Sequence, residues 1–292
     1  ILDGDREVMI APLPLYHIYA FTVSLVMSDM GHEMVLIPNP RDIPGFVKEL
    51  SKHKFSSFAG LNTLFVALCN NKEFNALDFS HLKHTISGGM ALTEAAASTW
   101  QKVTGCQIQE AYGLTETSPA VSFNPYRDIR IGTIGKVVTG TQVKVISEDG
   151  TDLGFDQEGE LCVKGPQVMA GYWQRPEATA QVMDADGWFK TGDVAILAED
   201  GFIRLVDRIK DMINVSGFNV YPNEIDDIAS QHSGILECAA VGIPNPVSGE
   251  TVKLFVVKSD PNLTADDVIS HCREHLTAYK VPKEVEFRDD LP

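Results

Sequence analysis

The chain has 292 residues, of which 44% are hydrophobic, and its formal net charge is −16. This length and apolar content suit one large or two ordinary globular domains. The acidic balance, with a pI near 4.8, argues against nucleic acid as a partner, because phosphate backbones are bound by clustered Lys and Arg. Five widely spaced cysteines without a C-x-x-C pair argue against a disulfide framework, so we expect a reducing, cytoplasmic location.

The first 130 residues predict an α/β fold in which strands and helices alternate. Apolar runs bounded by Pro and Gly predict the strands, and apolar residues at helical spacing predict the helices. Such alternation is typical of a helix-covered, mainly parallel sheet, whose ligands bind beyond the carboxyl ends of the strands. The predicted strands cover residues 7–16, 34–37, 55–59, 83–86 and 106–109, and the helices cover 18–30, 44–50, 63–68 and 93–105.

The pattern changes near residue 131, where helical spacing gives way to short alternating runs. Runs at 142–146, 160–163 and 202–205 predict strands, and Asp149-Gly150 and Asp200-Gly201 predict hairpin turns. Residues 131–207 therefore form a predicted β-rich subdomain, arranged as a distorted barrel. Together with residues 1–130 it makes a predicted large domain, 1–207.

A small α+β domain is predicted for residues 208–292. The charged run Asp207–Asp211 precedes it and reads either as a solvated loop or as an interdomain hinge. A unit of about 80 residues is large enough to fold alone. Its predicted helices cover 223–232 and 264–276, and its predicted strands cover 235–242, 251–258 and 284–288.

The stretch from Ala111 to Thr117 combines an aromatic ring, two hydroxyls and a carboxylate around Gly113, which permits a bend. Tyr112 can stack on a base, Thr115 can bond a phosphate oxygen and Glu116 can hold Mg²⁺. Taken alone, such a stretch is more often a polar turn after a strand. Its interpretation therefore depends on what else lies at the same edge of the sheet.

His17 and Gly88-Gly89 also lie just past predicted strands. Because the carboxyl ends of parallel strands meet at one sheet edge, both can share a crevice with Tyr112 and Glu116. A histidine at a strand exit is more often structural than catalytic, so its role also depends on the other motifs.

Two local patterns suggest other chemistries. The Gly-Lys pair at 135–136 lacks the upstream glycine of a G-x-x-x-x-G-K-[ST] phosphate loop, since Arg130 stands there. The run 271–275 matches the H-x-x-E-H signature of zinc peptidases, although its flanking apolar residues make an ordinary amphipathic stripe. A zinc hydrolase is a minor alternative that metal analysis of the purified protein would decide.

Six motifs follow one another along the whole chain: Pro12–His17, Ser87–Leu92, Gln109–Thr117, Lys190–Asp193, Asp207–Asp211 and Ser216–Ile225. In this order they resemble the adenylate-forming superfamily, which includes acyl-CoA synthetases, peptide-synthetase adenylation domains and beetle luciferases. The residues of these motifs are most similar to those of bacterial long-chain fatty acid–CoA ligases.

The resemblance implies an enzyme that joins a carboxylate to AMP from ATP and then passes the acyl group to the thiol of CoA. The implied substrates are a fatty acid, ATP and CoA, with Mg²⁺ as the metal. By the same resemblance Thr115 bonds the α-phosphate, Glu116 binds Mg²⁺ and His17 lies near the acyl carboxylate. These three are the implied catalytic residues.

The resemblance also implies a nucleotide site and a mobile small domain. Tyr112 would stack on adenine, while Asp193 and Arg208 would contact the ribose. Lys210 matches the family's hinge, and Gly217 lies where the pantetheine arm of CoA passes. The implied nucleotide-binding set is Gly88, Gly89, Met90, Ala91, Glu110, Ala111, Tyr112, Gly113, Thr115, Asp193 and Arg208.

Two parts of the family pattern lie outside this sequence. It opens on Ile1 rather than Met, without the family's Ser/Thr/Gly-rich phosphate loop, and it stops at Leu291-Pro292, before the family's adenylation lysine. We therefore expect a fragment of a longer ligase that forms acyl-adenylate poorly by itself. Apolar surface exposed at the seam would favour self-association, for example as a homodimer.

Other functions fit the same motifs. An aryl or medium-chain acyl-CoA ligase, or a carrier-protein adenylation domain, would differ in its acid pocket, and a panel of acids separates them. A non-catalytic, truncated homologue that keeps a nucleotide or CoA site is a different class. A long-chain substrate would allow association with the inner face of the membrane. Because no run approaches the ~18 apolar residues of a membrane span, we expect any such association to be peripheral.

Overall fold

The computed structural model describes residues 7–291. The chain folds as two compact units. The first holds the chain up to Thr191 together with Ile196–Arg204, and the second holds Gly192–Ala195 together with the chain from Leu205. Within residues 7–291, no helix has both the length and the apolar character that crossing a bilayer requires.

The main sheet of the first unit is built from β1 Val8–Ala11, β2 Glu33–Leu36, β3 Ser57–Gly60, β4 His84–Ser87, β5 Ile108–Gly113, β6 Ala120–Phe123 and β7 Lys136–Val137. Their order is β2-β1-β3-β4-β5-β6-β7. Pairs from β2 to β5 are parallel, whereas β6 is antiparallel to β5 and to β7. The predicted mainly parallel sheet is confirmed.

Helices between these strands are α1 Ile18–Asp29, α2 Ile43–Leu50, α3 Asn62–Cys69, α4 Lys72–Asn75 and α5 Glu94–Thr104. The sequence specifies both ends of α5. The side chain of Thr93 accepts a hydrogen bond from the Ala96 N–H, and Gly105 ends the helix at φ +75°, a conformation that favours glycine.

The core of the first unit is centred on Trp100 of α5. Its fully buried indole lies 5.2 Å from the Phe58 ring and 4.8 Å from the Phe65 ring, between centroids. The indole N–H donates to the Thr85 hydroxyl at 3.1 Å. These contacts pack α3 and α5 against β3 and β4, which fixes the sheet edge where the candidate residues lie.

A β-rich subdomain follows, with β8 Gln142–Ile146, β9 Glu158–Lys164, β10 Phe189–Leu197 and β11 Ile203–Arg208 in the order β11-β10-β9-β8. Gly150 and Gly201 occupy the predicted hairpin turns at φ +85° and +86°. The sequence prediction missed α6 Pro176–Val182 and the strand β10. In β10 the polar pair Gly192-Asp193 interrupts the apolar alternation.

The second unit is an α+β fold, as predicted. It contains β12 Ile213–Val215, β13 Phe218–Val220, α7 Pro222–Ser230, β14 Ile235–Asn245, β15 Gly249–Lys258, α8 Ala265–His275 and β16 Glu284–Arg288. Strand β15 pairs antiparallel with β12 and β14 and parallel with β16. Its core includes Ile225 of α7, Leu254 of β15 and Val268 of α8. The domain boundary at residues 207–208 stays a prediction.

Candidate active site

A closed loop follows β5 and carries Thr115 and Glu116. The Leu114 N–H donates to the Thr117 hydroxyl at 3.0 Å and to the Pro119 carbonyl at 3.1 Å, and the Thr117 N–H donates back to Leu114. Thr117 is fully buried, whereas Thr115 is exposed and Glu116 is partly exposed. The buried Thr117 therefore holds the loop in a shape that leaves its two neighbours accessible.

Gly113 is needed at the start of this loop for reasons of space. A Cβ atom there would lie 1.8 Å from the Pro119 carbonyl oxygen, a distance that no side chain can occupy. Strand β5 continues through Gly113, which pairs with Ala120 of β6, and the pairing register shifts between Tyr112 and Gly113. The chain turns only in the following residues, Thr115–Thr117, which form a short 3-10 helix.

The Glu116 side chain is held by a residue that the sequence analysis did not identify. The Tyr172 hydroxyl donates to Glu116 Oε1 at 2.9 Å, and the Met169 N–H donates to the Glu116 carbonyl at 2.8 Å. Partial burial and the neighbouring carboxylate raise the pKa of the Tyr172 phenol above its ordinary value. Tyr172 lies 56 residues from Glu116, so no local pattern could have revealed the pair.

Tyr112 and Glu110 belong to β5 itself. Tyr112 is half-buried and pairs with Ser122 of β6. The buried Glu110 carboxylate accepts a hydrogen bond from the Gly132 N–H at 2.9 Å. The Glu110 side chain therefore supports the chain near Gly132.

The structure brings His17 and Gly88-Gly89 together, as predicted from the strand order. A Cβ atom on Gly89 would lie 4.0 Å from His17 Cε1, and one on Gly88 would lie 3.4 Å from the Ala111 carbonyl. Gly89 has φ +87°, which explains why glycine is found there. Residues 89–91 are exposed, including Met90 and Ala91, so their backbone is accessible to a ligand.

Tyr19 supports this convergence and was also missed. Its hydroxyl donates to the Ile86 carbonyl of β4 at 3.1 Å, and its ring lies 3.5 Å from the Cβ position of Gly88. Burial raises the pKa of the Tyr19 phenol, so it remains a hydrogen-bond donor at neutral pH. This contact joins α1 to the end of β4.

His17 has a structural role, as is common for a histidine at a strand exit, and its ring is also exposed. Nδ1 accepts the Tyr19 N–H at 3.3 Å and caps the N-terminus of α1. When Nδ1 accepts, the proton of the neutral imidazole lies on Nε2. His17 can therefore cap its helix and still present Nε2 as a donor.

In the second unit, Asp193 and Arg208 form an ion pair. Arg208 Nε lies 3.3 Å from Asp193 Oδ1. Asp193 is 5% exposed, whereas the Arg208 side chain is 55% exposed. The carboxylate is thus fixed by burial and pairing, while the guanidinium keeps donors available to solvent or ligand.

The predicted hinge run is only partly a solvated loop. Lys210 is exposed in a short 3-10 helix, Ile209–Asp211. Asp207, by contrast, is buried and accepts from the Arg208 N–H at 2.7 Å and from the Asn223 N–H at 2.9 Å. Burial raises the pKa of the Asp207 carboxyl. Asp207 thus anchors this run to α7, a role that the charge pattern alone did not reveal.

Gly217 forms the tip of the β12–β13 hairpin. It has φ +85°, and open space surrounds the position that a Cβ would take. Its N–H donates to Asn214 Oδ1 at 3.0 Å. The backbone conformation favours glycine here, and a larger side chain would project into open space beside the hairpin.

The histidines of the H-x-x-E-H run pack against one another. The His271 ring lies 5.2 Å from His232 and 5.1 Å from His275, and its Nε2 is 2.9 Å from the Ile228 carbonyl oxygen. Among residues 7–291, no group of three or more His, Cys, Asp or Glu side chains could hold a metal ion. All five cysteines carry free thiols.

Curated relatives align with the entire chain. It is 55% identical over 294 aligned residues to a long-chain-fatty-acid–CoA ligase of Salmonella typhimurium, matching 100% of this chain and 52% of that protein. It is 33% identical over its full length to a feruloyl-CoA synthase of an Amycolatopsis species, of which it matches 59%. The chain thus spans about half the length of the curated relatives it matches.

Solved structures and family models agree with these relatives. The anthranilate CoA ligase AuaEII, solved in complex with anthranoyl-AMP, has a TM-score of 0.91 at 26% identity, covering 100% of this chain and 57% of that one. The model described as "AMP-binding enzyme" matches residues 2–173, and "AMP-binding enzyme C-terminal domain" matches residues 224–292. The chain therefore belongs to the AMP-binding enzyme family of adenylate-forming ligases.

Proposed function

We propose that the protein containing this chain is an AMP-forming long-chain fatty acid–CoA ligase. The observation that carries the proposal is the 55% identity, along the whole chain, to the Salmonella typhimurium ligase. Identity to the feruloyl-CoA synthase is only 33%, which favours a fatty acid over an aromatic acid. ATP and CoA are the proposed co-substrates.

The proposed reaction has two steps. A carboxylate oxygen of the fatty acid attacks the α-phosphorus of ATP, which forms acyl-AMP and breaks the bond to pyrophosphate. The deprotonated sulfur of CoA then attacks the acyl carbon, which forms the thioester and releases AMP. Because both reactants of the first step are anions, the enzyme must hold them together and neutralise the charge that develops.

Glu116 is the residue that we propose binds Mg²⁺. Its partly exposed carboxylate on the closed loop after β5 fits this ion, because Mg²⁺ is usually held by one or two carboxylates together with substrate phosphates. When bound, the ion neutralises phosphate charge. The exposed Thr115 hydroxyl is proposed to donate a hydrogen bond to the α-phosphate.

Nucleotide contacts are proposed for each unit separately, at the loop edge of the sheet in the first unit and at the Asp193–Arg208 pair in the second. Tyr112 stacks on adenine, and the exposed backbone of residues 89–91 lies along the nucleotide. The Asp193 carboxylate accepts hydrogen bonds from the ribose hydroxyls, and Arg208 donates to the ribose. Glu110, Ala111 and Gly113 contribute through the β5 backbone, since the Glu110 carboxylate is engaged with Gly132.

Three further roles are proposed for the acyl and thioester steps. His17 presents Nε2 near the acyl carboxylate, which its capping geometry supports. Lys210 is the hinge about which residues 208–292 reorient between the two steps. Gly217 keeps the path of the pantetheine arm open, which the empty space around its Cβ position supports.

An acid panel tests the function directly. The full-length protein is assayed for acyl-CoA formation with ATP, CoA, Mg²⁺ and either palmitate, octanoate or ferulate. We expect palmitate to give the highest kcat/KM. Preference for octanoate or ferulate would replace the long-chain proposal with the medium-chain or aryl alternative, and ATP or CoA binding without acyl-CoA formation would indicate a non-catalytic homologue.

Self-association and peripheral membrane contact are two further proposals. Apolar side chains of α1 are exposed, including Phe21, Leu25 and Val26, and a long acyl chain partitions into lipid. Sedimentation velocity of the full-length protein tests the homodimer, and co-sedimentation with lipid vesicles tests the membrane contact.

A further inference from the structure

The hydrogen bond from Tyr172 to Glu116 connects the proposed metal ligand to a distant segment of the same unit. That segment, residues 165–175, joins β9 to α6. It belongs to none of the six motifs found in the sequence. Of the two Glu116 carboxylate oxygens, Oε1 accepts the Tyr172 phenol at 2.9 Å. The contact therefore fixes the orientation of the carboxylate.

The 165–175 segment is attached on the upstream side of Tyr172. The Met169 N–H donates to the Glu116 carbonyl at 2.8 Å. The Gln167 amide donates to the Ala120 carbonyl at 3.0 Å and to the Thr141 hydroxyl at 2.6 Å. The segment is thereby bound to Glu116 itself and to Ala120, which follows the Glu116 loop.

A second attachment lies on the downstream side. The Tyr172 N–H donates to the Thr179 hydroxyl at 2.9 Å, and that hydroxyl donates to the Arg175 carbonyl at 3.0 Å. Gly171 has φ +143°, and a Cβ there would lie 2.8 Å from Thr179 Cγ2. The backbone is thus held before and after Tyr172, which places the phenol beside Glu116.

We propose that Tyr172 is a positioning residue, which holds the Glu116 carboxylate with one oxygen occupied, so that the other would be available to bind Mg²⁺. This inference rests on the proposed function of Glu116. Mg²⁺ demands near-ideal octahedral geometry, so a carboxylate that offers a single fixed oxygen binds it better than one that rotates. Hydrogen-bond partners of metal ligands typically contribute about 10- to 100-fold in metal affinity or activity.

The Tyr172 phenol is suited to this role because it remains a donor. A phenol carries its proton at neutral pH, so the hydroxyl can donate to the carboxylate. Phenylalanine would keep the ring and remove only the donor. The substitution therefore tests the hydrogen bond and not the packing.

The test measures Mn²⁺ binding to the full-length protein in the presence of ATP, by electron paramagnetic resonance, which does not depend on turnover. We expect Tyr172→Phe to weaken Mn²⁺ binding about 10-fold, with the KM for palmitate unchanged. The control Tyr126→Phe, which alters an exposed tyrosine whose ring contacts His84, leaves Mn²⁺ binding unchanged. In a Glu116→Gln background, Tyr172→Phe has no further effect.

Two results overturn the inference. The first is Mn²⁺ affinity in Tyr172→Phe that equals that of the wild type. The second is a fall in Mn²⁺ affinity matched by an equal rise in the KM for palmitate, together with a lowered Tm. That result indicates a structural contact only. A wild-type protein that binds Mn²⁺ and ATP but forms no acyl-CoA refutes the proposed function and leaves the role of Tyr172 standing.

Discussion

The Asp207 carboxylate accepts a hydrogen bond from the backbone N–H of Asn223 at 2.9 Å, and so the end of β11 caps the N-terminus of α7. Helix α7 needs this partner, because its own N-cap residue, Tyr221, makes no side-chain capping bond. The first N–H groups of a helix have no partner within the helix. A residue of the proposed hinge run thus stabilises the first helix of the small unit.

Replacing Asp207 therefore destabilises the protein. Asp207→Ala removes the cap and is expected to lower the free energy of unfolding by about 1–2 kcal/mol. Asp207→Asn retains an acceptor oxygen and is expected to lose less. Urea denaturation of the full-length protein measures both, and an alanine variant within about 0.5 kcal/mol of the wild type would show that Asp207 does not act as the cap.

Asp226 gives the stability of the second unit a pH dependence. Burial raises the pKa of this carboxyl to about 8, although the Ala240 N–H donates to it at 2.7 Å. Because the folded pKa lies above the unfolded value near 3.9, its stabilising contribution is fully present below about pH 4 and is lost progressively as pH rises to about 8. Asp226→Asn keeps the acceptor without ionising, so it should gain stability relative to the wild type between pH 5 and 8.

Asp149 serves as a control, because its pKa is shifted in the opposite direction from that of Asp226. Hydrogen bonds from Ser147 and Thr151 lower the pKa of this exposed carboxyl, so Asp149→Asn should change the pH dependence only below about pH 4. Denaturation curves at several pH values compare the two variants. If the gain of Asp226→Asn over the wild type were constant from pH 5 to 8, Asp226 would not titrate in this range.

Gly217→Leu separates the two proposed half-reactions. The side chain would project beside the hairpin, so thioester formation is expected to fall at least about 100-fold while palmitate-dependent acyl-AMP formation is retained. Gly201→Leu is a matched control, since Gly201 also has a positive φ (+86°) and open space around its Cβ position. Both carry a similar backbone strain of about 1 kcal/mol, and an equal loss of thioester formation in the two variants would contradict a role in the CoA path.

Asp193→Asn tests ribose recognition. An ionised carboxylate accepts stronger hydrogen bonds than an amide, so the KM for ATP is expected to rise about 10-fold. In the wild type, 2′-deoxy-ATP should bind more weakly than ATP, and in the variant this discrimination should shrink. Undiminished discrimination between the two nucleotides in Asp193→Asn would place the ribose contact elsewhere.

Local signals in the sequence predicted much of the fold. The cap at Thr93 and the glycine at Gly105 define α5, and Thr264 with Asp267 forms the capping box that begins α8. The strand 284–288 was also predicted with its observed bounds. These elements depend on residues within four positions of their ends, where sequence patterns are most informative.

Contacts between distant residues could not be predicted in this way. Tyr172 and Glu116 lie 56 residues apart, and Asp207 and Asn223 lie 16 apart, so neither pair has a periodic signature. Asp207 even lies in a charged run, whose pattern suggests exposure. The proximity of His17 and Gly89 could be predicted, because it required only the rule that the carboxyl ends of parallel strands meet at one sheet edge.

The most direct test of the account is ATP–pyrophosphate exchange by the full-length protein, with and without palmitate, in the wild type and in Glu116→Gln. We predict exchange that requires both palmitate and Mg²⁺ and that falls about 100-fold in the variant, since one charge-stabilising group is removed. Exchange that proceeds without palmitate, or that Glu116→Gln leaves unchanged, would contradict the proposed ligase and its proposed metal ligand.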